Sequence, residues 1–187
     1  MSHSTVLRVL AISGSLRRQS ANGFILKALS LMAPQLAHFT FYEGLEDLPP
    51  FNPDSRQDVP AVLHFRELLS HADAIIICTP EYAFGVPGVL KNALDWVVST
   101  GEFNEKSVAA ISASPLTSGG DKALESLLHT LTALGAVKDD HSSLSIPAVK
   151  KKISESGVIT DEDTLKKLHL LLSRLLFSVQ QRMDQKL

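Results

Sequence analysis

The stretch VLRVLAISGSLRRQSAN, from Val6 to Asn22, decides how the rest of the chain is read. An apolar run from Val6 to Ile12 predicts a buried strand. It breaks into a loop of small, hydroxylated and basic residues, Ser13, Gly14, Ser15, Arg17, Arg18 and Ser20, and a helical pattern starts near Ala21. Amides at a helix N-terminus lack intrahelical acceptors and lie at the positive end of the dipole. Hydroxyls and an arginine placed beside them make an anion cradle suited to phosphate.

The helix after this loop shows one apolar face through Phe24, Ile25, Ala28, Leu29 and Met32, and Pro34 ends it. A second strand is expected over Leu36 to Tyr42. Gly44 to Pro60 carries four prolines and polar Asn52, Asp54, Ser55 and Arg56, the pattern of a long surface loop. Helical spacing returns from Ala61 to Ala72, and Ala74 to Cys78 is apolar without alternation, as in a strand covered on both faces. The loop TPEYAFGVPG from Thr79 to Gly88 precedes a helix over Val89 to Ser99. Val108 to Ser112 predicts another strand, followed by the loop ASPLTSGG and a helix over Ala123 to Leu134 that Gly135 stops. A last strand is expected within Ala136 to Ile146, interrupted by Asp139, Asp140 and His141. Lys150, Lys151 and Lys152 are expected on a solvated surface. The final helix carries the apolar stripe from Leu165 to Val179, with Thr160 as its expected cap and Asp163 three residues on.

Five apolar runs alternating with five amphipathic segments predict an α/β fold. The sheet is five-stranded and parallel, with right-handed crossovers and helices on both faces, in one domain over residues 1–187. Ligands of such folds bind beyond the carboxyl ends of the strands, where strand order reverses, and all three small-residue loops fall at such ends.

Composition narrows the function. The chain has 187 residues, 44% hydrophobic and 20% charged, with a formal net charge of -2. That near balance provides no electrostatic footprint for nucleic acid and points to a small substrate. A single cysteine, Cys78, rules out an intrachain disulfide and fits the cytoplasm. The N-terminus lacks a signal-peptide pattern, and no apolar run is long enough to insert into a membrane. The seven histidines form no HxH or HExxH pattern, so no metal site is expected.

GSLRRQSAN, Gly14 to Asn22, resembles the GSLRxxSxN signature of the NADPH-dependent FMN reductase family. PEYAFGVPGVLKNALDW, Pro80 to Trp96, resembles that family's PEYNxSxPGxLKNAIDW signature. The resemblance extends more faintly through ASPLTSGG and the final helix. It implies a flavodoxin-like fold, bound FMN, NADPH or NADH as electron donor, and a quinone or similar small molecule as acceptor. It also implies a homodimer or homotetramer. The resemblance puts the FMN phosphate on Ser15, Leu16, Arg17, Ser20, Ala21 and Asn22. It puts the ring along Pro80, Glu81, Tyr82, Ala83 and Phe84, with Ser114 approaching from the third loop. Ala83 replaces the family's asparagine and Gly85 its serine, which removes side-chain hydrogen bonds near the ring.

The residues themselves leave other roles open. Ser20 or Asn22 can simply cap the helix, and Tyr82 can be core. Cys78 fits inert core better than a redox thiol, and Trp96 fits core or a subunit contact. Glu81 suits a structural or ring-edge role, and no catalytic acid is nominated, because the flavin carries the hydride. The first loop has neither the GK[ST] of a triphosphate loop nor GxGxxG. The alternatives to an enzyme are a flavodoxin-like electron carrier and a non-catalytic scaffold.

Overall fold

A computed structural model describes residues 6–54, 58–139 and 141–185. Ser55, Arg56 and Asp140 of the expected loops lie outside them. Five strands, β1 (Leu7–Ser13), β2 (Ala37–Tyr42), β3 (Ala74–Thr79), β4 (Ser107–Ala113) and β5 (Ser143–Ile146), form one parallel sheet in the order β2-β1-β3-β4-β5. The reversal of strand order falls between β1 and β3, where Ser13 lies opposite Cys78. Five helices connect and cover the strands: α1 (Ala21–Met32), α2 (Pro60–His71), α3 (Gly88–Asp95), α4 (Asp121–Ala133) and α5 (Glu162–Asp184). The expected α/β, doubly covered sheet is therefore the observed one.

Strand parity assigns each side chain to a face. Ile75 and Ile77 of β3 pack with Phe65 of α2, Leu90 of α3 and Leu127 of α4. Ala74, Ile76 and Cys78 pack on the opposite side with Ile25 and Leu29 of α1 and Leu172 of α5. Every residue of β3 and β4 is buried. That accounts for their lack of polar alternation, since a strand between two helical layers has no wet face.

Several boundaries differ from expectation. The last strand is only Ser143–Ile146, because Val137 reaches β4 through a single isolated bridge to Ser107 and the chain then turns around Asp139. α3 ends at Asp95 rather than near Ser99. The cap of α5 is Asp161, whose carboxylate accepts from the Thr164 amide at 2.9 Å. Thr160 instead donates to the Lys152 carbonyl at 3.3 Å. Of the lysine cluster, Lys150 and Lys151 are exposed, while Lys152 lies 3.4 Å from the Asp161 carboxylate.

The proline-rich segment after β2 is fastened to α3 at Pro49 and Phe51. Leu45–Asp47 forms a 3-10 turn. Asn92 of α3 accepts from the Phe51 amide at 2.7 Å and donates to the Pro49 carbonyl at 3.0 Å. The Trp96 indole donates to the same carbonyl at 2.8 Å, and its ring meets Phe51 edge-on at 5.2 Å. Trp96 is thus fully buried core.

Candidate active site

Three loops stand side by side at the carboxyl ends of β1, β3 and β4, since those strands are neighbours in the sheet. The first, residues 14–20, leaves β1 through Gly14. Its amide donates to the Cys78 carbonyl at 2.8 Å, and a Cβ there would lie 2.8 Å from Thr79 Oγ1 and 3.1 Å from Leu90. Only glycine lets the chain pass this close to β3. The Ser15 amide donates to Ser13 Oγ, and the Arg17 amide to Ser15 Oγ, each at 3.3 Å. Ser20 caps α1, its Oγ accepting from the Gly23 amide at 3.0 Å. The capping role left open for Ser20 is therefore real, and its hydroxyl hydrogen stays available to a ligand.

Ala21 and Asn22 are the first two residues of α1, so their amides have no intrahelical acceptor. Leu16, Arg17 and Arg18 are exposed, whereas Ser20 and Asn22 are buried. Asn22 Oδ1 faces the thiol of Cys78 at 3.3 Å. A cleft of about 690 Å³ opens on the β2 side of the loop, lined by Ser15, Arg17, Ser20 and Lys27 among others. Serine hydroxyls, a guanidinium and free helix amides form a donor set that fits a phosphate monoester dianion.

The second loop makes a tight turn. Tyr82 and Gly85 exchange both backbone hydrogen bonds, at 2.9 and 3.0 Å, around Ala83 with φ of 49° and Phe84 with φ of 62°. Positive φ at both central positions defines a type I′ turn, which asparagine and glycine enter more easily than alanine or phenylalanine. The turn carries Tyr82, 54% exposed, and Phe84, 80% exposed. Tyr82 is therefore not core. Glu81 points the other way, its Oε2 accepting from the Ala123 amide at 3.0 Å, so it serves the N-terminus of α4. Asn92 and Trp96, from the same sequence motif, act at a distance by holding the loop after β2.

The third loop, residues 114–120, is braced from within. Ser114 is buried, and its Oγ accepts from the Leu116 amide at 3.2 Å, while Ser112 Oγ donates to the Gly119 carbonyl at 2.9 Å. Gly119 and Gly120 have φ of 69° and 82°, and a Cβ on Gly119 would clash with Ser145 Oγ. Cys78 is fully buried, and burial pushes its thiol pKa up, which keeps it protonated.

Two donor-rich and aromatic loops at a strand-order reversal match one family pattern along nearly the whole sheet. A model of the NADPH-dependent FMN reductase family matches residues 7–150. The chain belongs to this family. As a member it is an oxidoreductase that works with FMN and a reduced nicotinamide. A 2-hydroxy-1,4-benzoquinone reductase from a Burkholderia species is 33% identical over 172 residues, which cover 90% of this chain and 93% of that protein. The solved structure of FerB, a flavoenzyme NAD(P)H:(acceptor) oxidoreductase from Paracoccus denitrificans, superposes with a TM-score of 0.84. It is 30% identical, and the match covers 94% of this chain and 98% of FerB. A WrbA-like flavodoxin structure from Agrobacterium tumefaciens, 16% identical with a TM-score of 0.64, shares the fold; the match covers 94% of this chain and 98% of that one.

The Cys78 contact with Asn22, the Glu81 contact with Ala123 and the type I′ turn had no reading in the sequence. The one signal that could have found the turn is that Ala83 stands where the family has asparagine, a residue that tolerates positive φ.

Proposed function

We propose that this single domain of residues 1–187 passes hydride from NADPH or NADH through FMN to quinones and related small acceptors, such as azo compounds, metal oxyanions or free flavin. Ser15, Leu16, Arg17, Ser20, Ala21 and Asn22 hold the FMN phosphate. Pro80, Glu81, Tyr82, Ala83 and Phe84 border the ring, with Ser114 approaching it from the third loop. The observation that carries this reading is the bond from the Gly14 amide to the Cys78 carbonyl, which sets the donor loop directly beside the strand leading to the aromatic turn.

When bound, FMN would supply the redox chemistry between the nicotinamide and the acceptor. The chain's residues bind and orient. Arg17 neutralises phosphate charge, the α1 amides and Ser20 hydroxyl direct its oxygens, and Tyr82 and Phe84 offer flat apolar faces to aromatic reactants. Glu81 is occupied at Ala123 and serves as a brace rather than a proton donor. Quinones are favoured among acceptors because the Burkholderia relative is named a benzoquinone reductase.

The protein acts in the cytoplasm as a homodimer or homotetramer, without nucleic-acid partners. The single cysteine supports the compartment, and no helix among the described residues is long and apolar enough to cross a membrane. Leu16, Tyr82, Phe84 and Leu116 are all large, apolar and at least 49% exposed around the three loops. A second copy covering that rim would remove apolar surface from water.

One purification tests the activity. The protein should carry or take up FMN, lose its visible flavin band on anaerobic addition of NADPH, and regain it when benzoquinone is added. A colourless protein that binds no added FMN would overturn the cofactor assignment, and bleaching without reoxidation by quinone would overturn the acceptor.

A further inference from the structure

Cys78, the last but one residue of β3, lies against the first turn of α1 and touches the first loop at both its ends. Its carbonyl accepts from the Gly14 amide at 2.8 Å, and its Sγ lies 3.3 Å from Asn22 Oδ1. Both side chains are shut in, Cys78 completely and Asn22 to 4% exposure. Strand parity explains the contact, because Ala74, Ile76 and Cys78 all face α1 and α5.

The contact has one chemical sense. A neutral thiol has a hydrogen to donate and is a poor acceptor, whereas a carboxamide oxygen accepts strongly. The thiol therefore favours the arrangement in which the Asn22 oxygen faces β3 and Nδ2 faces away. Among the described residues Nδ2 has no hydrogen-bond acceptor. Asn22 is also the second residue of a twelve-residue helix, beside amides that lack intrahelical acceptors. With the carboxamide reversed, an oxygen would face the same place and repel an anion.

We propose that Cys78 is a positioning residue: its thiol holds the Asn22 carboxamide so that Nδ2 donates to the phosphate of FMN bound at the first loop. This rests on the reading of that loop as the FMN phosphate site. Cys78 touches no ligand itself. It acts by removing one of two carboxamide orientations before the phosphate arrives, which lowers the cost of ordering the site.

Riboflavin lacks only the phosphate, so comparing it with FMN isolates the effect. Both dissociation constants are measured by flavin fluorescence on the full chain freed of flavin, together with its melting temperature. Cys78→Ala should weaken FMN about three- to tenfold and change riboflavin by less than about twofold. Cys78→Ser, which restores a donor, should return FMN to within about twofold of the wild type. Unchanged FMN affinity in Cys78→Ala, equal losses for both flavins, or failure of serine to rescue would overturn the proposal.

Should Cys78→Ala not fold, Cys78→Val tests the same point, because it fills the buried position without a donor for Asn22 Oδ1. FMN should then weaken about three- to tenfold with riboflavin nearly unchanged, and unchanged FMN affinity or equal losses would overturn the proposal. A wild-type chain that binds FMN and riboflavin alike removes the phosphate site and this proposal together. Phosphate discrimination that survives in Cys78→Ala but falls in Arg17→Ala removes this proposal alone.

Discussion

Glu81 Oε2 accepts a hydrogen bond from the Ala123 amide at 3.0 Å, so a side chain of the loop after β3 caps the helix after β4. Gly120 precedes that helix with φ of 82° and has no side chain to cap it. Its Cβ would lie 3.3 Å from the Glu81 Cβ, so glycine also makes room for the carboxylate. The second and third loops are thereby joined at the proposed ring site. Glu81→Ala should cost about 1 to 2 kcal/mol of stability, the usual value of a lost N-terminal cap. Glu81→Gln, which keeps an oxygen acceptor but loses the charge, should cost less. Urea unfolding of the three proteins checks this order; equal stability for alanine and wild type would contradict it.

Replacing both Arg17 and Ser20 with alanine should weaken FMN by about 2 to 4 kcal/mol, combining a charge-assisted and a neutral hydrogen bond. Riboflavin affinity should change little. Ser20→Ala also removes the α1 cap, so the melting temperature of the flavin-free protein should fall as well. FMN affinity equal to the wild type's would take these residues out of the site.

Ala83→Asn should stabilise the protein by up to about 1 kcal/mol, because asparagine enters the left-handed region at lower cost than alanine. Gly85→Ser should be tolerated, since the nearest atom to a Cβ there is the Tyr82 carbonyl oxygen at 3.9 Å. Thermal melts of the single and double variants check both statements. A lower melting temperature for Ala83→Asn would mean that this turn does not hold its left-handed residues in solution.

The loop between β2 and α2 should loosen when its fastening on α3 is cut. Asn92→Ala removes the acceptor of the Phe51 amide and the donor to Pro49, and should cost about 1 to 3 kcal/mol. Limited proteolysis should then cleave first between residues 44 and 59. An unchanged cleavage pattern would show that the Phe51 and Trp96 contact holds the loop alone.

Acid should release one long-range tie. Burial pushes the Asp73 carboxyl pKa up, but hydrogen bonds from the Arg8 side chain and amide, with the Arg8 charge, outweigh it and hold the carboxyl below its ordinary value. A depressed pKa contributes stability that is present above the unfolded carboxylate value, about 3.9, and is lost as pH falls through the lower folded value. The stability difference between wild type and Asp73→Asn should therefore be constant from neutral pH to about 5 and shrink below about 4. A difference that grows on acidification would contradict the pairing.

The sequence by itself determined the order of elements, the buried character of β3, and the three small-residue loops at carboxyl ends. Those features are local: apolar period and small-residue punctuation act over a few neighbours, and the two motifs carry the family. Tertiary structure alone decided what joins the loops. Cys78 meets Asn22 across 56 residues and Glu81 meets Ala123 across 42. Asn92 reaches Phe51 across 41. Each pair forms only after strand parity and sheet order have set which faces meet, and no spacing in the chain encodes that. The left-handed pair Ala83 and Phe84 belongs with them, because local preference disfavours that backbone and the two Tyr82 and Gly85 hydrogen bonds hold it.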